Sequence, residues 1–182
     1  NLLINSEFPE ALSEKEIITT SILLLNAGHE ATTHTIGNSI KTILELEIPF
    51  SHLKNQPVLA IEELLRFDPP LHLFTRYALN DCLIQDYKFS EGSKVGLLLA
   101  AANRDPKVFT KASKFCFDRH ERPHLSFGAG IHFCLGALLA KAEMAVAIRV
   151  LIERHPKIKL SGKPEFSNKY HFHGLKSLYV EI

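Results

Sequence analysis

Between Phe127 and Gly136 the chain reads Phe-Gly-Ala-Gly-Ile-His-Phe-Cys-Leu-Gly. Three glycines within nine residues open backbone conformations closed to other residues and let a flat ligand approach the main chain. A helical pattern then runs from Leu135 to about Glu153, which places Cys134 beside free N–H groups and the positive end of a helix dipole, where a thiolate is favoured. Such a thiolate is a nucleophile or a metal ligand. A nucleophile needs a general base, and His132, two residues away, is poorly placed for that in an extended segment. Structural zinc wants four nitrogen or sulfur ligands, and neither Cys82 nor Cys116 forms a Cys-x-x-Cys pair. The spacing also matches neither the dinucleotide fingerprint nor the Walker loop. One axial thiolate on haem iron fits best; a glycine-rich turn around a buried structural cysteine is the alternative.

The stretch resembles the haem-binding loop of the cytochrome P450 family, in the His-containing form frequent among soluble bacterial members. The resemblance implies haem b as cofactor, Cys134 as the axial iron ligand and His132 as a hydrogen-bonding partner of a haem propionate. It also implies that Phe127, Gly128 and Gly136 border the cofactor.

The chain has 182 residues, 46% of them apolar, enough for one substantial core. A formal charge of +1 with scattered basic residues gives no case for a nucleic-acid partner. Three distant cysteines point to a reducing compartment. The longest apolar stretch, Ile17 to Gly28, contains Thr, Ser and Asn and is too short to span a bilayer. No signal-peptide pattern is present, so no membrane span and a cytoplasmic location are expected. The chain begins with Asn1 rather than Met, and its whole length resembles the C-terminal half of the family. Residues 1–182 are therefore expected to be the C-terminal haem-binding portion of one larger domain, with an N-terminal half lost or supplied elsewhere. The fold class is mainly α with small β-sheets (α+β), without repeats or a second domain.

Residues 1–12 read as a helix end and loop. Ser13 to Glu16 then forms a capping box, and a helix is expected to run to about Glu45, on the order of 50 Å at 1.5 Å per residue. Ala27, Glu30 and Ala31 share one face, where small side chains would let a flat cofactor lie against the backbone and Glu30 would stand beside an apolar wall. This segment resembles the family's oxygen-activating helix, usually Ala-Gly-x-Asp/Glu-Thr-Thr. The acid matches at Glu30, but Ala31 stands where the family has a threonine. Thr32 lies about 100° further round the helix, so it is not an assumed substitute. Thr33 is expected to bond back to the preceding turn.

After a short connection, Pro57 and Pro69-Pro70 frame a second helix containing Glu63 and Arg66. Alone, that pair reads as a surface ion pair worth a few tenths of a kcal/mol. By resemblance it is the family's buried Glu-x-x-Arg, with Arg119 as third member, all structural. His72 to Leu99 alternates as strands, with turns at Asn80-Asp81 and Glu91-Gly92. Arg76 matches the family arginine that binds a propionate. Leu71, Leu73 and Phe74 resemble substrate-pocket positions, as does Phe172 in the last loop. Ala101 to Pro106 matches a family segment without assignable chemistry, and Lys107 to Pro123 should be irregular. Lys141 replaces a more usual arginine and loses its planar fork. Tyr170 to Ile182 reads as a terminal hairpin, with His171 and His173 as surface residues lacking a carboxylate partner.

Taken together, the resemblance implies a haem-thiolate monooxygenase that hydroxylates a small apolar substrate with dioxygen and electrons from a ferredoxin or flavoprotein. A non-catalytic half-protein needing a missing N-terminal part, or peroxide-driven oxidation by the same haem, are the alternatives.

Overall fold

A computed structural model describes residues 12–119 and 123–182; the expected helix end before Leu12 lies outside the described residues. Helix α1 (Glu14–Glu45) starts where the capping box puts it: the Ser13 hydroxyl accepts from the Glu16 N–H, and Glu16 Oε2 takes the Ser13 N–H at 2.8 Å. Its 32 residues give a rod of about 48 Å. The helix ends at Leu46, whose N–H still reaches Thr42 O, before Glu47 turns the chain with φ 49°.

The expected short connection holds a helix of its own, α2 (Phe50–Asn55), entered through Pro49. Six residues carry too little periodicity to announce themselves. Helix α3 (Pro57–Phe67) follows with proline in its first turn, where a missing N–H costs nothing. It stops at Asp68, ahead of the two prolines.

Strands β1 (Leu73–Tyr77) and β4 (Lys94–Leu98) pair antiparallel, Leu73 opposite Leu98 and Tyr77 opposite Lys94. The Glu91-Gly92 turn forms as expected. Between them β2 (Cys82–Ile84) and β3 (Tyr87–Phe89) make a hairpin about Gln85-Asp86, with Gln85 at φ 53°. The sequence marks only Asn80-Asp81, which lies before β2, because no glycine or proline flags the true turn. Helix α4 (Leu99–Ala102) leads into turns without regular structure, then a short 3-10 turn at Gly130–His132.

Helix α5 (Ala137–Arg154) begins two residues later than its apolar pattern suggests, because Leu135 and Gly136 are spent on a turn. The tail also differs from a single terminal hairpin. Strand β6 (Glu165–Phe166) pairs with β7 (Leu175–Ser177), whereas β8 (Val180–Glu181) returns to β5 (Lys159–Leu160). Among the described residues all sheets are two-stranded and antiparallel.

The core lies where the C-terminal half of α1 meets α2, α3 and α5: Ile43, Leu53, Ile61, Leu64, Met144 and Ile148 are buried together. Each such side chain contributes roughly 1.5–3 kcal/mol of transfer free energy. The N-terminal half of α1 has no such cover, and Ile18, Ile22, Leu23, Leu24 and Leu25 are half or more exposed. Among the described residues no helix is long and apolar enough to cross a membrane.

Candidate functional site

The cysteine loop is closed on itself. Cys134 N–H donates to Phe127 O at 2.9 Å, and Phe133 N–H reaches Gly130 O. Gly128 and Gly130 take φ of 72° and 66°, the left-handed region that favours glycine, while Gly136 sits at −84°. Cys134 is exposed and unpaired. It does not cap α5 with its side chain; its carbonyl takes the Ala137 N–H at 3.3 Å, and because the helix starts two residues later than the sequence suggests, the thiol lies ahead of the first turn. Phe127 anchors the loop against the core, while Ile131, Phe133, Leu135 and Leu138 stand out from it, all exposed. His132 is exposed beside them.

Behind the loop the structure brings Glu63, Arg66 and Arg119 together. Arg66 Nε and Nη2 clasp Glu63 at 2.7 and 2.8 Å, both side chains 2% exposed, and Arg119 Nε reaches the same carboxylate at 3.0 Å. The other Arg66 protons go to the carbonyls of Asn103, Ala112 and Lys114, and Glu63 also takes the Cys116 N–H. A buried pair survives desolvation only when its remaining donors and lone pairs are met in this way. It is therefore no surface ion pair.

Asn103, which no spacing pattern picked out, carries this scaffold to the loop. Fully buried, it donates to Ser126 Oγ at 2.8 Å and accepts the Leu125 N–H at 2.7 Å, while Ser126 Oγ donates to Leu65 O. A second tie comes from Glu62, which pairs with His124 Nε2 at 3.1 Å and with Lys141. The close approach of His124, helped by Lys141 and opposed by partial burial, pulls the Glu62 carboxyl down to about 2. Lys141 also sits 5.5 Å over the Phe127 ring, so its charge has both a carboxylate and an aromatic partner.

On α1, Ala27 is exposed and a side chain at Gly28 would meet open space. Glu30 does not stand against an apolar wall. It pairs with Lys169, from the segment between β6 and β7, and lies 3.7 Å from His34 Nε2. The Lys169 hydrogen bond holds its carboxyl below the ordinary range. Gly174 packs so closely on His34 that a Cβ there would overlap the ring. Ala31 is half-buried and its carbonyl takes the Thr35 hydroxyl at 2.7 Å; Thr33 bonds back to His29 O as expected. Thr32 lines a shallow groove with Ala142, Glu143 and Val146 of α5.

Arg76 lies exposed on β1, over Phe74 at 5.9 Å and bonded to Thr75 O. Leu71 and Phe172 are joined by an isolated antiparallel bridge; Leu73 is half-buried against Gly96, and Phe74 is exposed. His173 corrects its sequence reading: it is half-buried, stacked on His72 and Phe166, and 3.6 Å from Asp68. Chain folding supplied a carboxylate 105 positions away, which no local pattern could show.

A lone exposed thiol, ringed by apolar side chains and carried on a loop whose backbone is fixed from behind, is a donor set that a thiolate-ligated haem fits. Comparison with known families matches residues 37–172 to cytochrome P450. The chain is 40% identical over 164 residues to the biotin biosynthesis cytochrome P450 of Bacillus subtilis, covering 88% of this chain and 42% of that protein. CYP109E1 from Bacillus megaterium, solved with testosterone, superposes with a TM-score of 0.91 at 34% identity, covering 98% of this chain and 51% of that one. P450BioI, solved with an acyl carrier protein bearing hexadec-9Z-enoic acid, gives 0.88 at 40% identity, covering 93% and 45%. The chain belongs to the cytochrome P450 family, whose members bind haem b through a cysteine thiolate. It spans about half the length of the relatives it matches.

Proposed function

We propose that residues 1–182 are the C-terminal haem-binding portion of a monooxygenase domain that hydroxylates a small apolar molecule, with electrons delivered by a ferredoxin or flavoprotein in the cytoplasm. The observation that carries this reading is the self-closed loop presenting an unpaired Cys134 among exposed apolar side chains. Haem, when bound, supplies dioxygen activation, with the thiolate favouring O–O cleavage. Cys134 holds the iron; His132 and Arg76 bind propionates; Phe127, Gly128, Gly136 and Ala27 bound the cofactor. Glu63, Arg66 and Arg119 keep the loop in place. Leu71, Leu73, Phe74 and Phe172 line the substrate side and exclude water from it. Glu30 holds a proton-accepting carboxylate beside Ala31, with Lys169 and His34 fixing its direction. The steroid and fatty-acyl ligands of two neighbours support an apolar substrate.

The ferrous carbon monoxide spectrum of the haem-loaded chain tests the ligand. A strongly red-shifted Soret band, absent in Cys134→Ser, is expected; a band of neutral-ligand type overturns the assignment.

Two observations favour narrower versions. The exposed apolar N-terminal half of α1 supports a portion that works only with a further polypeptide covering it. Ala31, which places no hydroxyl next to Glu30, supports a weak proton relay or peroxide-driven turnover. Ala31→Thr is then expected to raise product formed per reduced cofactor consumed, and an unchanged ratio rejects the weak relay.

A further inference from the structure

We propose that Asp68, His72 and His173 form a binding site for one borderline divalent transition-metal ion of the zinc type, which ties the last loop of the chain to the end of α3. Asp68 ends α3, His72 leads into β1, and His173 lies between β6 and β7. One ligand atom from each falls within 4.8 Å of the other two, and all three residues are half-buried. Two imidazoles and one carboxylate suit zinc, nickel or copper, not calcium or magnesium, which want oxygen alone.

The surroundings favour a prepared site. Burial lowers the proton affinity of both imidazoles, so each offers a neutral nitrogen near pH 7. The His72 ring is held in place by stacking on His173. Asn38, fully buried, donates through one Nδ2 to His173 O at 2.8 Å and Asp68 O at 3.4 Å, and His173 N–H reaches Pro70 O at 2.7 Å. The backbones of two ligand residues are thus tied to one amide. Lys41 Nζ occupies Asp68 Oδ2 at 2.8 Å and leaves Oδ1 on the His173 side.

Zinc–nitrogen bonds of about 2.0–2.1 Å at tetrahedral angles put donor atoms about 3.3 Å apart, so the rings must tilt together. They now stack, 4.3 Å between centroids and 23° between planes, with Phe166 on the far face of His173. The Lys41 charge opposes a dication and keeps affinity moderate. Each histidine is the next residue after a member of the Leu71–Phe172 bridge, so a bound ion would fix that pairing.

Zinc titration of the chain against a chromophoric chelator, at pH 7.5, tests it. One equivalent is expected, kept in Cys134→Ser and His171→Gln. His72→Gln and His173→Gln should each weaken it by about tenfold or more, since losing even an outer partner costs that much. Lys41→Gln should bind zinc more tightly, an outcome that misfolding cannot produce. Failure of wild type to bind zinc, or equal affinity in wild type and in both histidine variants with circular dichroism unchanged, overturns the proposal.

Discussion

Arg66 and Cys134 belong to two regions finished in opposite ways. All five guanidinium N–H groups of Arg66 meet an acceptor supplied by this chain, and the residue is 1% exposed. Around Cys134 the backbone is closed by the Cys134–Phe127 and Phe133–Gly130 hydrogen bonds, yet Ile131 and Leu135 are 96% and 92% exposed. The difference separates what positions the loop from what the loop is for. Single exposed apolar side chains are ordinary, but a cluster of them on one loop is the kind of patch that marks a binding face. The Arg66 cluster is satisfied within the described residues, whereas the side chains around Cys134 are not covered by them.

Removing Arg66 should do the greatest harm. Arg66→Ala leaves Glu63 charged and buried with three carbonyls short of a donor, and a loss of about 3–5 kcal/mol or failure to fold is expected. Urea denaturation measures it, and a loss below 1 kcal/mol (a bound set by the handful of exposed pairs that cost so little) would show the cluster to be solvent-screened. Asn103→Ala strips the loop of the Leu125 and Ser126 contacts; about 2–3 kcal/mol is expected. Its effect should also appear as faster amide exchange at Leu125, which a core packing defect elsewhere would not cause.

Glu62→Gln gives a smaller and pH-dependent effect. The Glu62 carboxyl is lowered from 4.5 to about 2, so its stabilisation is complete above pH 4.5 and fades as pH falls toward 2. With its side chain 37% exposed, the loss at pH 7 should stay below about 1 kcal/mol. The gap between wild type and variant should close on acidification, and a gap that stayed constant down to pH 2 would remove the ion pair as its cause. Last comes Cys134→Ser, for which the thermal midpoint should hardly move because the thiol touches no core, even as the thiolate signature disappears.

Much of this was legible from local pattern. The capping box at Ser13, the prolines about α3 and the glycines of the loop act within a few residues, so the sequence displays them directly. The role of Glu63 and Arg66 was not so visible: as an i, i+3 pair they look like a surface contact, and only the resemblance gave them a buried place. Asn103, Lys169 and the His124–Glu62 pair escaped notice because each depends on partners more than 20 positions away. The short helix α2 and the Gln85-Asp86 turn were missed for want of periodicity and of glycine. Helix α5 began late since apolar spacing does not reveal where a turn ends.

The Arg66 cluster also has an order in time. Glu63 waits for the N–H of Cys116, 53 residues later. At a synthesis rate of roughly 5–20 residues per second, that partner leaves the ribosome about 3–10 s after α3 does. For that interval α3 carries a carboxylate and a guanidinium on the face it must eventually bury. The helix can form early, but its Glu63–Arg66 face stays unsatisfied until the irregular segment from Lys107 onward has been made, and the core it joins closes only when α5 brings Met144 and Ile148 later still.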